Sequence, residues 1–179
     1  MRRYAAFLRA INVGGRIVKM GQLRGLFEEA GLADVETFIA SGNVVFGSAV
    51  KDPGKLEKSL ERRLASALGY EVATFIRSMP ELRAVAEYAP FPPREAAAAH
   101  GVYVAFLRAA PAAAAVKALL ALRSDFDDFH VRGREAWWLA RLPMMKTPFS
   151  GAKLEKALGM PATLRNVTTV RKMADRYAA

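Results

Sequence analysis

Apolar positions alternate between a period of two and a period near 3.6 along this chain. Residues 3–11 place Tyr4, Ala6 and Leu8 on one side and Ala5 and Phe7 on the other, which predicts a strand buried on both faces. Paired glycines between Asn12 and Arg16 break the strand. From Met20 the apolar positions move to helical spacing at Leu23, Phe27 and Ala30, with Gly31 as the stop. Residues 35–40 and 44–48 predict two strands joined at Ser41-Gly42-Asn43. Asp52 and Pro53 supply a cap and a first-turn proline for a helix striped by Leu56, Leu60, Leu64 and Ala67, ending at Gly69. A strand over residues 71–77 completes the order β-α-β-β-α-β. That order typifies a ferredoxin-like sandwich, an antiparallel sheet with both helices on one face.

Ser78 and Glu81 have capping-box spacing and open a linking helix with Leu82, Val85 and Ala86 inward. Residues 89–99, with three prolines and an alanine run, read as a junction. The pattern then restarts. Tyr4-x-Ala6-Phe7-Leu8-Arg9-Ala10 returns as Tyr103-x-Ala105-Phe106-Leu107-Arg108-Ala109. A helix carries Val116, Leu119 and Leu120. A hairpin over 126–131 and 135–141 turns at Gly133, and a helix capped by Ser150 stops at Gly159. A short strand at 163–165 and a last helix starting at Asn166 or Thr168 follow. The expected fold is α+β: tandem duplicated ferredoxin-like (βαββαβ) units with an extra linking helix and a C-terminal helix. The expected domains are a first half at 1–88, a junction at 89–99 and a second half at 100–179.

Hydrophobic residues at 53% and charged residues at 25% describe a globular chain. The absence of cysteine excludes disulfides, thiolate nucleophiles and cysteine-held zinc, and fits a cytoplasmic protein. His100 and His130 are the only imidazoles and fall on different predicted strands. Arg9 cuts the first apolar run too short for a signal peptide, and no run approaches the roughly 20 apolar residues of a membrane span. The net charge of +10 is unevenly placed: residues 1–27 carry six basic and no acidic groups, and residues 141–179 carry eight and two. If the two ends meet, they form one positive surface suited to phosphate or an acidic partner. Arginine used as a plain solubiliser explains the same excess.

The candidate chemistry lies in loops. Asn12, Gly14, Gly15, Arg16 and Lys19 lead from a strand into a helix. Glycines admit close backbone approach, and a helix N-terminus favours anions. There is no Walker loop and no G-x-G-x-x-G fingerprint, and a connecting loop alone accounts for the glycines. Ser41 and Asn43 sit where a turn suffices, yet their side chains at a sheet end could orient a ligand. Arg165 and Asn166 precede the last helix. Capping explains Asn166 but leaves Arg165 over, which suggests an anion pocket. Lys146, near the start of another helix, reads as a solvated face or a further anion contact. Asp125, Asp127 and Asp128 read as exposed turn carboxylates, and no spacing suits a metal. Trp137 and Trp138 alternate across the sheet, so one packs inward while the other either packs too or stays open to stack on a partner.

Three segments resemble one family. The first is Phe7-Leu8-Arg9-Ala10-Ile11-Asn12-Val13-Gly14-Gly15 with Lys19-Met20 and Leu23. The second is Thr37-Phe38-Ile39-Ala40-Ser41-Gly42-Asn43-Val44-Val45-Phe46. The third is Ala162-Thr163-Leu164-Arg165-Asn166 with Thr169-Val170 and Lys172. In this order they resemble the motifs of the bacterial proteins known as Domain of Unknown Function 1697. The resemblance implies a tandem pair of ferredoxin-like units in a small cytoplasmic protein and no established activity. This chain departs from the pattern in a loop from Gly15 to Met20 that is one residue shorter, in Val167 where tryptophan is expected, and in Met145 where serine is expected.

The leading expectation is binding of a phosphate-bearing ligand, a nucleotide or a nucleic-acid backbone. Arg16, Lys19, Arg165 and Lys146 would hold the anion; Asn12, Ser41, Asn43 and Asn166 would orient it. No cofactor, metal or catalytic residue is assigned. One alternative is an enzyme for a small anionic substrate, with Lys146 or Asp128 near the chemistry. Another is an interaction module that uses exposed sheet or tryptophan surface. The oligomeric state is left open, the monomer being favoured.

Overall fold

The computed structural model describes residues 1–12, 14–39 and 42–179. The chain divides into two compact units, Met1–Ala84 with Met173–Ala179, and Val85–Lys172. The elements of the first are β1 (Arg2–Leu8), α1 (Met20–Glu29), β2 (Ala33–Thr37), β3 (Asn43–Ser48), α2 (Pro53–Leu68), β4 (Thr74–Ser78) and the start of α3 (Met79–Glu87). The second holds α4 (Pro93–Ala98), β5 (Gly101–Leu107), α5 (Ala113–Leu120), β6 (Asp127–Arg132), β7 (Glu135–Ala140), α6 (Gly151–Leu158), β8 (Ala162–Asn166) and the start of α7 (Val167–Tyr177). The described residues thus form a mixed α+β fold with two four-stranded antiparallel sheets and seven helices. The strand orders are β2-β3-β1-β4 and β6-β7-β5-β8.

In the first unit Tyr4 lies opposite Phe46 on β3, and Ala5 opposite Arg77 on β4. In the second, Tyr103 lies opposite Trp138 and Val104 opposite Arg165. The helices form for reasons visible in the residues. Asp52 Oδ1 accepts the N–H of Gly54 at 2.9 Å, Pro53 takes the first turn, and Gly69 ends α2 in the left-handed region at φ +80°. Leu56, Leu60 and Leu64 of α2 are buried with Leu23 and Phe27 of α1 against Tyr4, Ala6, Leu8 and Phe46. Each such side chain contributes about 1.5 to 3 kcal/mol on leaving water. The second core sets Leu119, Leu154 and Leu158 against Phe129, Trp138 and Phe149.

One outer strand of each sheet, β4 and β8, has N–H groups taken by carboxylates of the preceding helix. Glu61 accepts the N–H of Thr74 and buried Glu57 that of Ile76, both at 2.9 Å. Glu155 accepts the N–H of Ala162 at 3.0 Å. Free N–H groups on an edge strand invite unwanted pairing, and these contacts remove them.

Several expectations are corrected. The first strand ends at Leu8 because Ala10 turns left-handed at φ 53°. The junction holds α4, and His100 sits at a bend ahead of β5, not on a strand. Asp127 is no exposed turn carboxylate: it is buried, accepting the indole N–H of Trp138 at 2.8 Å and the hydroxyl of Thr147. Both Trp137 and Trp138 are buried, so neither ring stands open to a partner. No helix among the described residues is long and apolar enough to cross a membrane.

Candidate functional site

The bend between β1 and α1 is pinned at both ends. Ile11 and Val18 are buried in the first core, and the Asn12 carboxamide oxygen accepts the N–H of Val18 at 2.8 Å. Asn12 is therefore a brace across the bend. Between these anchors Gly14 and Gly15 are left-handed, at φ +66° and +79°, and a side chain added at either would meet nothing within 4 Å. Residues Gly14, Gly15, Arg16 and Ile17 are all exposed.

Cations and donors gather beyond the glycines. The Arg16 guanidinium lies over the ring of Tyr70, 4.2 Å from its centroid, and Tyr70 donates through its hydroxyl to the carbonyl of Ile11 at 3.2 Å. The stack preorients a charge that is otherwise free to swing. Exposed Lys19 holds the N-cap position of α1 without a side-chain cap, and the first turn contains no acid. The start of α1 thus has no side-chain cap and no acid, and two basic residues precede it in the chain, an arrangement that suits an anion.

The second motif meets the first. Leu8 donates its N–H to the carbonyl of Gly42 at 2.9 Å. Gly42 is left-handed at φ +72°, and a β-carbon there would stand 2.8 Å from Ile11 Cγ2. Only glycine lets the β2–β3 turn lie this close to the start of the bend. Asn43 is buried at the beginning of β3 and donates to the carbonyl of Phe38 at 3.0 Å, so it closes its own turn. The orienting role expected of Ser41 lies outside the described residues. Ile39, half exposed, is left-handed at φ 55°. A β-branched residue there is strained, and such strain concentrates where function holds a backbone in place.

Lys146, Arg165 and Asn166 belong to the second unit. Arg165 is buried and donates to Thr163 Oγ1 at 2.8 Å and the Leu164 carbonyl at 2.9 Å. Burial pushes its guanidinium pKa down to about 10. Asn166 caps α7 by accepting the Thr168 N–H at 2.9 Å. Lys146 is exposed in the turn that follows β7, next to Thr147, which is fastened to Asp127. Asp128 is ion-paired with Arg123 at 2.7 Å. His130 shares a hydrogen bond of 2.8 Å with Tyr88, and burial, aided by the nearby Arg123 and Arg132, lowers its pKa. Among the described residues no group of three or more His, Asp or Glu side chains is placed to hold a metal.

Arg77, fully buried in β4, escaped the sequence reading. It donates to the carbonyl of the preceding Ile76 at 2.9 Å, as Arg165 does to Leu164. The signal was present: Phe75-Ile76-Arg77-Ser78 and Thr163-Leu164-Arg165-Asn166 share a pattern of two strand residues, an arginine and a capping residue.

A solved structure of a conserved bacterial protein from Streptococcus pneumoniae is similar to this chain over 97% of each, at 23% identity and a TM-score of 0.70, a likeness of fold. No match is found among curated proteins. The family model described as Protein of unknown function (DUF1697) matches residues 1–137.

Proposed function

The chain belongs to the DUF1697 family, and for this member we propose that the bend between β1 and α1 binds phosphate, in the form of a nucleic-acid backbone. One observation carries the reading: Arg16 and Lys19 precede an uncapped helix start on a bend whose left-handed glycines would leave an added β-carbon nothing to meet within 4 Å. Such a bend can press its amides onto a phosphate while the two cations neutralise it. Its exposure from Gly14 to Ile17 suits an extended polyanion better than a small nucleotide, which needs a cleft to bury its base. Asn12 and Asn43 act from behind by fixing the two turns. Lys146 belongs to the other unit and carries no part of this reading. Arg165 and Asn166 steady β8 and the start of α7.

We also read the two units as tandem copies of one ferredoxin-like βαββαβ element. The matching strand orders, the paired positions of Arg77 and Arg165 and the repeated first strand support this reading.

Fluorescence anisotropy with labelled single-stranded DNA and RNA tests the function. Binding is expected to weaken steeply between about 50 and 200 mM salt. Replacing Arg16 and Lys19 together by alanine should weaken all sequences alike and flatten the log–log salt slope by about 1 per lost contact. Unchanged affinity and slope in that variant, or no binding by the parent chain, refutes the proposal.

A further inference from the structure

The bend between β1 and α1 and the turn between β2 and β3 leave the first sheet at one end. Phe7, near the end of β1, lies opposite Asn43 at the start of β3, and Thr37, the last residue of β2, lies opposite Val44. The two segments adjoin: Leu8 donates its N–H to the carbonyl of Gly42 at 2.9 Å, and a β-carbon on Gly42 would stand 2.8 Å from Ile11 Cγ2. This end carries two aliphatic side chains that the core does not use. Ile17 is 83% exposed and Ile39 is 53% exposed, and neither belongs to the core of the first unit. Ile17 directly follows Arg16, and Lys19 comes two residues later.

A single exposed isoleucine is ordinary on a protein surface. Two on adjoining segments, one of them between the cations of the phosphate site, ask for an apolar partner that comes together with phosphate. An unpaired base is such a partner. A single strand presents base faces and thymine methyls close to its own backbone, whereas a duplex stacks those faces away. A lipid surface also combines phosphate with apolar groups, but insertion into it takes a broad apolar face, and these isoleucines stand on two separate segments.

We propose that this end of the first unit selects single-stranded nucleic acid, with Ile17 and Ile39 packing against unpaired bases while Arg16 and Lys19 hold phosphates. The inference rests on the phosphate reading of the bend and adds the class of strand. The two differ in what they expect. A duplex carries the denser charge, so contacts to phosphate alone favour the duplex or treat both forms alike. Contacts to bases favour the single strand.

Fluorescence anisotropy of the full chain compares three labelled probes of equal length: an oligothymidylate, the same strand paired with oligoadenylate, and a single strand of abasic sites. The oligothymidylate should bind about tenfold more tightly than either of the others. Ile17→Ser combined with Ile39→Asn should lower its affinity to that of the abasic strand and leave the salt slope unchanged, because no charge is lost. Asparagine accepts the left-handed backbone of position 39, so the fold is kept. Replacing Arg16 and Lys19 by alanine should instead flatten the slope for all three probes. Equal affinity for the three probes, tighter binding of the duplex, or an isoleucine variant that binds as the parent does overturns this inference and leaves the phosphate reading standing. No binding to any probe overturns both. Sedimentation with phosphatidylserine vesicles that the isoleucine variant loses, with no preference among the strands, assigns the two side chains to a lipid surface and equally overturns the proposal.

Discussion

Gly42 and Gly14 have the same left-handed backbone and opposite surroundings. A β-carbon at Gly42 collides with Ile11 Cγ2 at 2.8 Å and approaches Leu8 Cβ at 3.1 Å, whereas one at Gly14 meets open space. Gly14→Ala should therefore cost only the backbone penalty, about 1 kcal/mol. Gly42→Ala adds overpacking and should cost about 2 to 4 kcal/mol. Urea unfolding measures both, and equal losses would mean that the β2–β3 turn does not need the close approach. The buried arginines teach a related lesson. Arg165 keeps a guanidinium pKa of about 10, so it stays charged at neutral pH while its N–H groups serve Thr163 and Leu164. A cation that reads as a ligand contact in the sequence is tied to its own strand in the fold.

Each sheet ends on a strand whose outward N–H groups are taken by glutamates of a helix. Glu57 is the clearest case, because it is buried on α2 and receives the N–H of Ile76. Glu57→Ala leaves that N–H without this partner and should destabilise the chain by about 1 to 3 kcal/mol. Hydrogen exchange at the Ile76 amide should accelerate with it. Retained protection there would show that the carboxylate does not guard the edge. Helical periodicity hides this role: Glu57 adjoins Leu56 in the stripe, and a glutamate one step from the apolar line reads as solvated.

The residues that close the chain, Met173–Ala179, belong to the first unit. Tyr177 donates to Glu36 at 3.2 Å, its ring meets Phe38 edge-on at 5.9 Å, and Arg83 donates to the carbonyl of Ala178. Met173, Ala174, Tyr177 and Ala178 are buried. A chain ending at Lys172 loses these side chains and should unfold at clearly lower urea than the full chain, read by circular dichroism. Coincident unfolding curves would mean that the segment adds nothing to the first unit. The net charge of +10 also looks different at this scale. The ion pairs of Arg3, Arg24, Arg63, Arg123 and Arg141 already cancel within that figure, whereas buried Arg165 withholds its charge from a polyanion.

Local chemistry was legible wherever it depends on near neighbours. Asp52, Gly69, Ser150 and Gly159 placed helix ends, and the capping box at Ser78 and Glu81 forms as its spacing predicts. The left-handed glycines of the bend were also readable, because φ is a property of one residue and its neighbours. Burial was not. Alternation along a strand tells which residues share a face but not what covers that face. Hence Asp127, Trp137, Arg77 and Arg165 acquired their surroundings only when strands and loops distant in sequence closed over them.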